Sequence, residues 1–419
     1  MAEPGAPAGA EPAEPELPLA VPEGPLEVVV DAPALDAALE RIVAGTGPVA
    51  VDAERANGFR YSSRAYLVQL YRRGAGTVLI DPNGFDDLSA VQQAIGGEEW
   101  IIHAASQDLP CLRELGMEPA TLFDTELGAR LAGFDRVGLG AVVERLSGKR
   151  LRKEHGASDW SQRPIPRAWL EYAALDVEVL PDARDALAAD LEAQGKGELA
   201  RQEFRYALER QPKPPAAEPW RRLSGMHAIR DRRQLAIARE LWLARDELAR
   251  ATDRAPGRLI PDRSLVVAAT AGVASKGQLA GRKDFVGRAS RSELDRWWTA
   301  IEAGRASEAL PPLRVPSNEP PPPRFWKQKR PEADARLQRA RRVVQEVAES
   351  LALPTENLLL PDALRRIAWE PTEPTPDAVA EALREREARP WQIAATAQKI
   401  AAAFVEADQH GADAPETDS

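Results

Sequence analysis

The apolar positions along the chain fall into two regimes. From Leu26 to about residue 105, short runs of strand formers alternate with stretches whose apolar residues return at helical spacing. Leu26–Val30, Val49–Glu54, Tyr66–Tyr71, Thr77–Asp81 and Trp100–His103 read as strands. Helices are expected over 33–44, with Asp31 as N-cap, and over 86–95 and 107–116. The run Arg72-Arg73-Gly74-Ala75-Gly76 reads as a hairpin loop, which pairs its flanking strands antiparallel, while the longer connections permit parallel pairing. The pattern predicts an α/β domain with a mixed sheet. Further helices over 124–132, 138–147 and 167–194 complete it, with expected bounds of 26–205.

Beyond residue 200 the strand spacing disappears. Residues 219–305 carry long Ala/Leu/Arg/Glu stretches such as Leu235–Ala251, punctuated by Trp220, Trp242, Trp297 and Trp298. A proline-rich bridge follows, including Glu319-Pro320-Pro321-Pro322-Pro323, and predicts a stiff extended spacer over 311–328. Residues 331–408 are helical again. Leu259-Ile260-Pro261-Asp262 matches Leu359-Leu360-Pro361-Asp362 one hundred positions on, each after a long amphipathic helix, as in a repeat. Two all-α domains are therefore expected, at 216–306 and 329–408. The Ala, Pro, Glu and Gly composition of 1–25, and the similar 409–419, predicts disordered tails.

Composition narrows the function. The net charge of −10 on 419 residues excludes a chain that coats nucleic acid by bulk charge, though not a local basic groove. A single cysteine, Cys111, excludes an intramolecular disulfide framework and fits a reducing, cytoplasmic setting. No His pattern marks it as a nucleophile, and a buried thiol is the expected role. The longest apolar run, Leu265 to Ala274, is half of what a membrane helix needs, and the acidic N-terminus lacks a signal-peptide pattern.

The candidate chemistry starts at Val49-Ala50-Val51-Asp52-Ala53-Glu54. In a strand, Asp52 and Glu54 share one face while Val49, Val51 and Ala53 share the other. Two adjacent carboxylates either meet water at a strand end or hold a hard divalent cation between them. His103-Ala104-Ala105-Ser106-Gln107-Asp108 follows a later strand and places Asp108 in a first helical turn, as a helix-start acid or a ligand. His103 is expected to be a core histidine outside any metal site. Tyr172 and Asp176, four residues apart in a helix, lie on one face and could bind a metal and orient its water.

In order, D-x-E, a helix-start Asp and Y-x-x-x-D resemble the DEDD-type 3′–5′ exonucleases of the tyrosine-bearing class, as in bacterial ribonuclease D. The run Ser158-Asp159-Trp160-Ser161-Gln162-Arg163-Pro164 and the two helical repeats, similar to HRDC modules, extend the resemblance over residues 27–408. It implies a ribonuclease H-like exonuclease domain and two HRDC-like domains. It also implies catalysis by Asp52, Glu54, Asp108, Tyr172 and Asp176, the four acids holding two Mg²⁺ or Mn²⁺ ions. Nucleoside 5′-monophosphates would leave the 3′ ends of single-stranded RNA, in tRNA and structured-RNA processing by a cytoplasmic monomer. The departure is Arg55, where the class commonly carries an apolar or aromatic wedge. Phe59 or Tyr61 is then expected to take that role. Trp160 and Arg163 are candidate nucleic-acid contacts, as are Arg221 and Arg222 in a basic cluster with Arg230, Arg232 and Arg233. DNA as substrate, and a catalytically silent nucleic-acid-binding scaffold, are the competing readings.

Overall fold

The computed structural model describes residues 17–412, except 153–154, 212–213, 215, 316–318 and 371. The strands are β1 (Val28–Val29), β2 (Thr46–Arg55), β3 (Ala65–Arg73), β4 (Gly76–Ile80), β5 (Glu99–Ile102) and β6 (Thr121–Asp124). They form one sheet in the order β1-β4-β3-β2-β5-β6. β3 pairs antiparallel with β2 and β4, while β1–β4, β2–β5 and β5–β6 are parallel, so the sheet is mixed. The helices of this region are α1 (Ala32–Ala44), α2 (Ser89–Ile95), α3 (Leu109–Glu114), α4 (Thr125–Leu131), α5 (Leu139–Ser147), α6 (Arg167–Glu178), α7 (Leu180–Ala193) and α8 (Gly197–Glu209).

Both faces of the central strands are covered. Val49, Val51 and Ala53 of β2 join Val68 and Leu70 of β3 in a core closed by Leu35 and Ile42 of α1, Val91 of α2 and Leu112 of α3. On the opposite face Ala50 packs with Ile101, Val177 and Leu180, under α6 and the start of α7. Alternation alone decides which side chains look toward α6, and these include Asp52 and Glu54.

Three local expectations change. The helix expected over 167–194 ends at Glu178 and restarts at Leu180, where Pro181 has no N–H to continue the first ladder. Strand β6 and helix α8 were not marked by the spacing: β6 is four residues long, and α8 extends the domain past 205 to Glu209. The expected tail 1–25 is ordered from Pro18 onward. Ala20 N–H donates to the Arg150 carbonyl (3.0 Å), Arg150 N–H to the Pro18 carbonyl (2.9 Å) and Glu23 N–H to Glu178 (2.9 Å). Residues 1–16 of that tail lie outside the described residues. At the other end the last helix runs to Ala412, and 413–419 lie outside.

The two helical segments share one order. The first has Arg232–Thr252, a short turn Pro256–Leu259, then Asp262–Thr270; the second has Pro331–Ser350, Thr355–Leu358, then Pro361–Trp369. Each closes on a further long helix, Leu294–Ala306 and Pro390–Ala412. The structural register sits one residue from the sequence match: Leu259 and Ile260 are buried as Leu358 and Leu359 are, whereas Leu360 is exposed. The expected spacer is not uniformly a spacer. Trp326 is fully buried in the second helical core and donates its indole N–H to the Pro321 carbonyl at 2.6 Å.

Each segment docks on the sheet domain at a different place. Tyr61 packs into the first helical core, its hydroxyl donating to Asp246 (2.9 Å), while Asp253 accepts from Ser62 N–H (2.9 Å) and the Tyr66 hydroxyl (3.1 Å). The second helical segment meets α8. There Glu203, 5% exposed, accepts two bonds from Arg389 (2.6 and 2.8 Å) and one from the Trp391 indole (2.7 Å). Removing one partner of such a buried pair costs about 3–5 kcal/mol. Glu203→Ala is expected to lower the thermal midpoint of the full chain and expose the second helical segment to limited proteolysis. An unchanged midpoint would show that the docking does not depend on this pair.

Candidate active site

Three chain segments bring acids together at one end of β2. Asp52 and Glu54 project from β2 toward α6, as strand alternation requires. Tyr172 and Asp176 lie one turn apart on α6, above them. Carboxylate oxygens of Asp52, Glu54 and Asp176 all fall within 4.8 Å of one another.

Asp108 reaches the same cleft by a different route. β5 ends at Ile102, Ala104 turns left-handed (φ 60), and a tight turn over Ala105–Gln107 delivers Asp108 as the residue before α3. The left-handed alanine is held by Asp124 at the end of β6. Its carboxylate accepts from the backbone N–H groups of Ala104 (3.0 Å), Ala105 (2.9 Å), Glu126 (3.0 Å) and Leu127 (3.1 Å). Burial pushes Asp124 up to about 6 even so, against those four donors. Asp124 thus fixes where Asp108 stands, and sequence reading missed it. Its signal is Phe123-Asp124-Thr125-Glu126 at a strand-to-helix junction, an N-cap pattern.

Asp108 is not one of the three converging acids, because Arg55 holds it. The Arg55 guanidinium donates to the Asp108 carboxylate and to the Gln107 carbonyl, and lies 3.8 Å from the Cys111 sulfur. The residue at the wedge position is therefore a counter-charge inside the acid cluster.

The electrostatics follow from burial of like charges. Burial raises Asp52; Glu54 is held well above the usual carboxylate range by burial first and then by Asp52, Asp176 and Asp108. Burial and then Asp52 also raise Asp108 and Asp176, opposed by Arg55 and by the Tyr172 hydroxyl respectively. Tyr172 is itself pushed far up by burial and Asp176, so it stays a neutral hydrogen-bond donor. A Cβ at Gly156 would come within 3.4 Å of its oxygen. Burial lowers His103 to about 4, so it lines the cleft uncharged, its Nδ1 2.9 Å from the Thr125 hydroxyl. Cys111 is pushed up to about 11 by burial and is no nucleophile.

The expected nucleic-acid contacts are mostly structural. Trp160 is fully buried, stacked near Trp169 and Tyr172. Arg163 spends its guanidinium on Asp81 (2.5 and 2.8 Å) and the carbonyls of Tyr66 (2.7 Å) and Trp160 (2.8 Å). Tyr61 belongs to the interface with the first helical segment, and Phe59 is covered by Arg258, 3.8 Å from its ring. Both are half-buried. Arg221 stacks on Trp220 and pairs with Glu218 (2.7 Å), while Arg232 and Arg233 bond backbone carbonyls. Of the five arginines in that cluster, Arg222, Arg230 and Arg232 are exposed, and Arg232 is the one of these three that bonds backbone carbonyls. Sequence reading missed Arg136 and Arg152, which are exposed at the mouth of the acid-lined cleft of about 660 Å³. They lie beyond the motifs, and only folding places them there.

A hard, buried, mutually repelling set of carboxylates is what a divalent cation requires, and the donor set fits one. Protons can take the cation's place. Groups raised in the folded state hold protons that the unfolded chain releases near its ordinary 3.8 to 4.5. Their stabilising contribution is full below that range and is lost as pH rises through the raised values. The gap between thermal midpoints in Mn²⁺ and in EDTA is expected to widen from about pH 5 to pH 8. A gap that stays constant over that window would show that these acids are not raised in the fold.

Comparison with known proteins gives the same direction. A family model described as a 3′–5′ exonuclease matches residues 27–192, and one described as a 3′ to 5′ exonuclease C-terminal domain matches 319–404. Ribonuclease D of Pseudomonas paraeruginosa is 30% identical over 262 residues, 62% of this chain and 67% of that protein. Alignments to three further ribonucleases D span only 42–47% of their lengths, so the chain covers less than half of those curated relatives. A crystal structure of a protein from Bifidobacterium adolescentis superposes with a TM-score of 0.84 at 37% identity, over 93% of this chain and all of that one. Escherichia coli RNase D, described as an exoribonuclease involved in structured RNA processing, superposes at 0.62 with 26% identity, over 82% of this chain and 89% of that one.

Proposed function

We propose that the chain, which belongs to the ribonuclease D family, is a Mg²⁺- or Mn²⁺-dependent 3′–5′ exoribonuclease. It releases nucleoside 5′-monophosphates one at a time from single-stranded 3′ ends of RNA. The observation that carries this reading is the meeting of Asp52, Glu54 and Asp176 within 4.8 Å, with Asp108 and Tyr172 on the same cleft. Two divalent ions held by the four acids would activate the attacking water and neutralise charge on the leaving 3′-oxygen. Asp52, Glu54 and Asp176 supply the preformed ligand oxygens, and Asp108 joins them as Arg55 gives way. Tyr172, kept protonated with its hydroxyl turned to Asp176, would accept from the attacking water and so orient it. His103, neutral at working pH, adds no positive charge to the cleft.

Arg136 and Arg152 supply the cations for the polynucleotide's phosphates. Both also line a neighbouring hollow of about 410 Å³ with Arg150, which gives a strand a basic path out of the acid cluster. The helical segments are read as HRDC-like modules, supported by their common helix order. RNA rather than DNA, structured-RNA and tRNA precursors as targets, a cytoplasmic site and a monomeric state are inferred from the family. Among the described residues no helix is long and apolar enough to cross a membrane.

Matched RNA and DNA oligonucleotides with a labelled 5′ end test the reading in one digestion with Mg²⁺ or Mn²⁺. Progressive shortening of the RNA is expected, and Asp52→Asn or Asp176→Asn is expected to lose at least about a hundredfold in rate. Full activity of either variant would refute the site. Preferential digestion of the DNA would keep the site and change the substrate. The Arg136→Glu, Arg152→Glu double variant is expected to raise KM for a long oligonucleotide about tenfold or more and to flatten its salt dependence. An unaltered KM would remove these arginines from the strand path.

A further inference from the structure

Gln69 lies in the middle of β3, directly opposite Asp52 in the antiparallel ladder. Its neighbours Val68 and Leu70 face the core with Val51 and Ala53. Gln69 therefore faces the other way, on the side shared by Asp52 and Glu54 and roofed by α6. It is completely buried, and neither its amide nitrogen nor its amide oxygen has a hydrogen-bond partner among the described residues.

An unpaired amide in a strand interior has no packing rationale. A leucine would fill nearly the same volume without stranding two polar atoms. The flanking positions of β3 on this face, Leu67 and Tyr71, are apolar or aromatic, and α6 presents Ala173 and Val177 to this side of the sheet. The hydrogen-bonding group directly across the ladder from the amide is the Asp52 carboxylate. Opposed residues on neighbouring strands have Cβ atoms about 4.5–5.5 Å apart, which is within the reach of a glutamine side chain. The Asp52 carboxylate has the Ala53 backbone N–H as an electrostatic donor, which leaves lone pairs for a second donor.

We propose that Gln69 is a positioning residue of the metal site: its amide N–H₂, unpartnered in this structure, turns to donate to the Asp52 carboxylate opposite it when a cation is bound. The bond fixes the carboxylate in its ligating orientation, as partners behind metal ligands do elsewhere. This inference rests on the cation-binding reading of the acid cluster. It adds a polar group that no part of the three-segment acid pattern contains.

The test is titration of the full chain with Mn²⁺, followed by calorimetry and by the loss of free-ion signal in electron paramagnetic resonance. Gln69→Leu is expected to melt in EDTA at the same or a higher temperature than the parent, since it removes two unpaired polar atoms. It is expected to bind Mn²⁺ about 10- to 100-fold more weakly. A purely structural glutamine cannot produce that opposition of signs. Gln69→Met, unbranched and of similar length, gives the same reading should the leucine fail to pack. Parental Mn²⁺ affinity in the Gln69 variants, with affinity lost in Asp176→Asn, would overturn the proposal and leave the metal site standing. Parental affinity in Asp176→Asn as well would remove the metal site itself.

Discussion

Carboxylates pressed together away from water repel one another, and the sheet domain is arranged around holding them there. Asp52 and Glu54 cannot move apart, because β2 is paired with β3 along Ala50–Glu54 and anchored to β5 at Val49 and Ala50. Asp176 cannot retreat, because α6 is pinned over the sheet by Ala173 and Val177. Asp108 is fixed by a left-handed turn that four backbone donors to Asp124 stabilise. Rigid elements, not local preference, keep like charges in contact. The strain appears as carboxyl groups displaced toward their protonated forms. A cation relieves it, so the same arrangement that destabilises the site without metal makes it a strong ligand for one.

The parts of this arrangement that depend on periodicity were legible in the sequence. Strand alternation put Asp52 and Glu54 on one face, and helical spacing put Tyr172 and Asp176 on another. The mixed sheet followed from one short loop and several long ones. What periodicity cannot convey is which partner a long polar side chain meets. Trp160 and Arg163 sit in a polar-looking loop, yet one fills the aromatic core under α6 and the other clamps Asp81 across 82 residues. Tyr61 looks like an exposed aromatic after a strand, and it is claimed by a helix nearly 190 residues later. β6 has too few residues to announce itself, although the position of Asp108 depends on its last one.

Arg55 shows how one substitution against a family pattern changes the physics of a site. An apolar residue there would leave the acid cluster alone. A guanidinium reaches back to Asp108 and partly neutralises it. The cluster is thereby split into three acids that converge freely and one held by an internal cation. Phe59 and Tyr61 are half-buried, against Arg258 and the first helical core respectively. The cleft carries other apolar lining groups, among them Val137, Leu139 and Leu151.

The overall negative charge is compatible with the proposed polynucleotide substrate only because the charge is unevenly placed. Many of the arginines are spent on the fold. Arg163 clamps Asp81, Arg389 closes a buried pair with Glu203, Arg245 ties Asp262 to its helix, and Arg336 ties Asp408. The arginines at the mouth of the cleft are the ones left facing solvent beside the acids. At a screening length of about 8 Å in physiological salt, a phosphate near Arg136 and Arg152 is screened from most of the chain's distant negative charge. On the proposed function, affinity for a strand is set by a few local cations, and the acids beyond them repel any phosphate that arrives without a metal. Binding and cation loading would then be coupled by charge alone, before any conformational change is invoked.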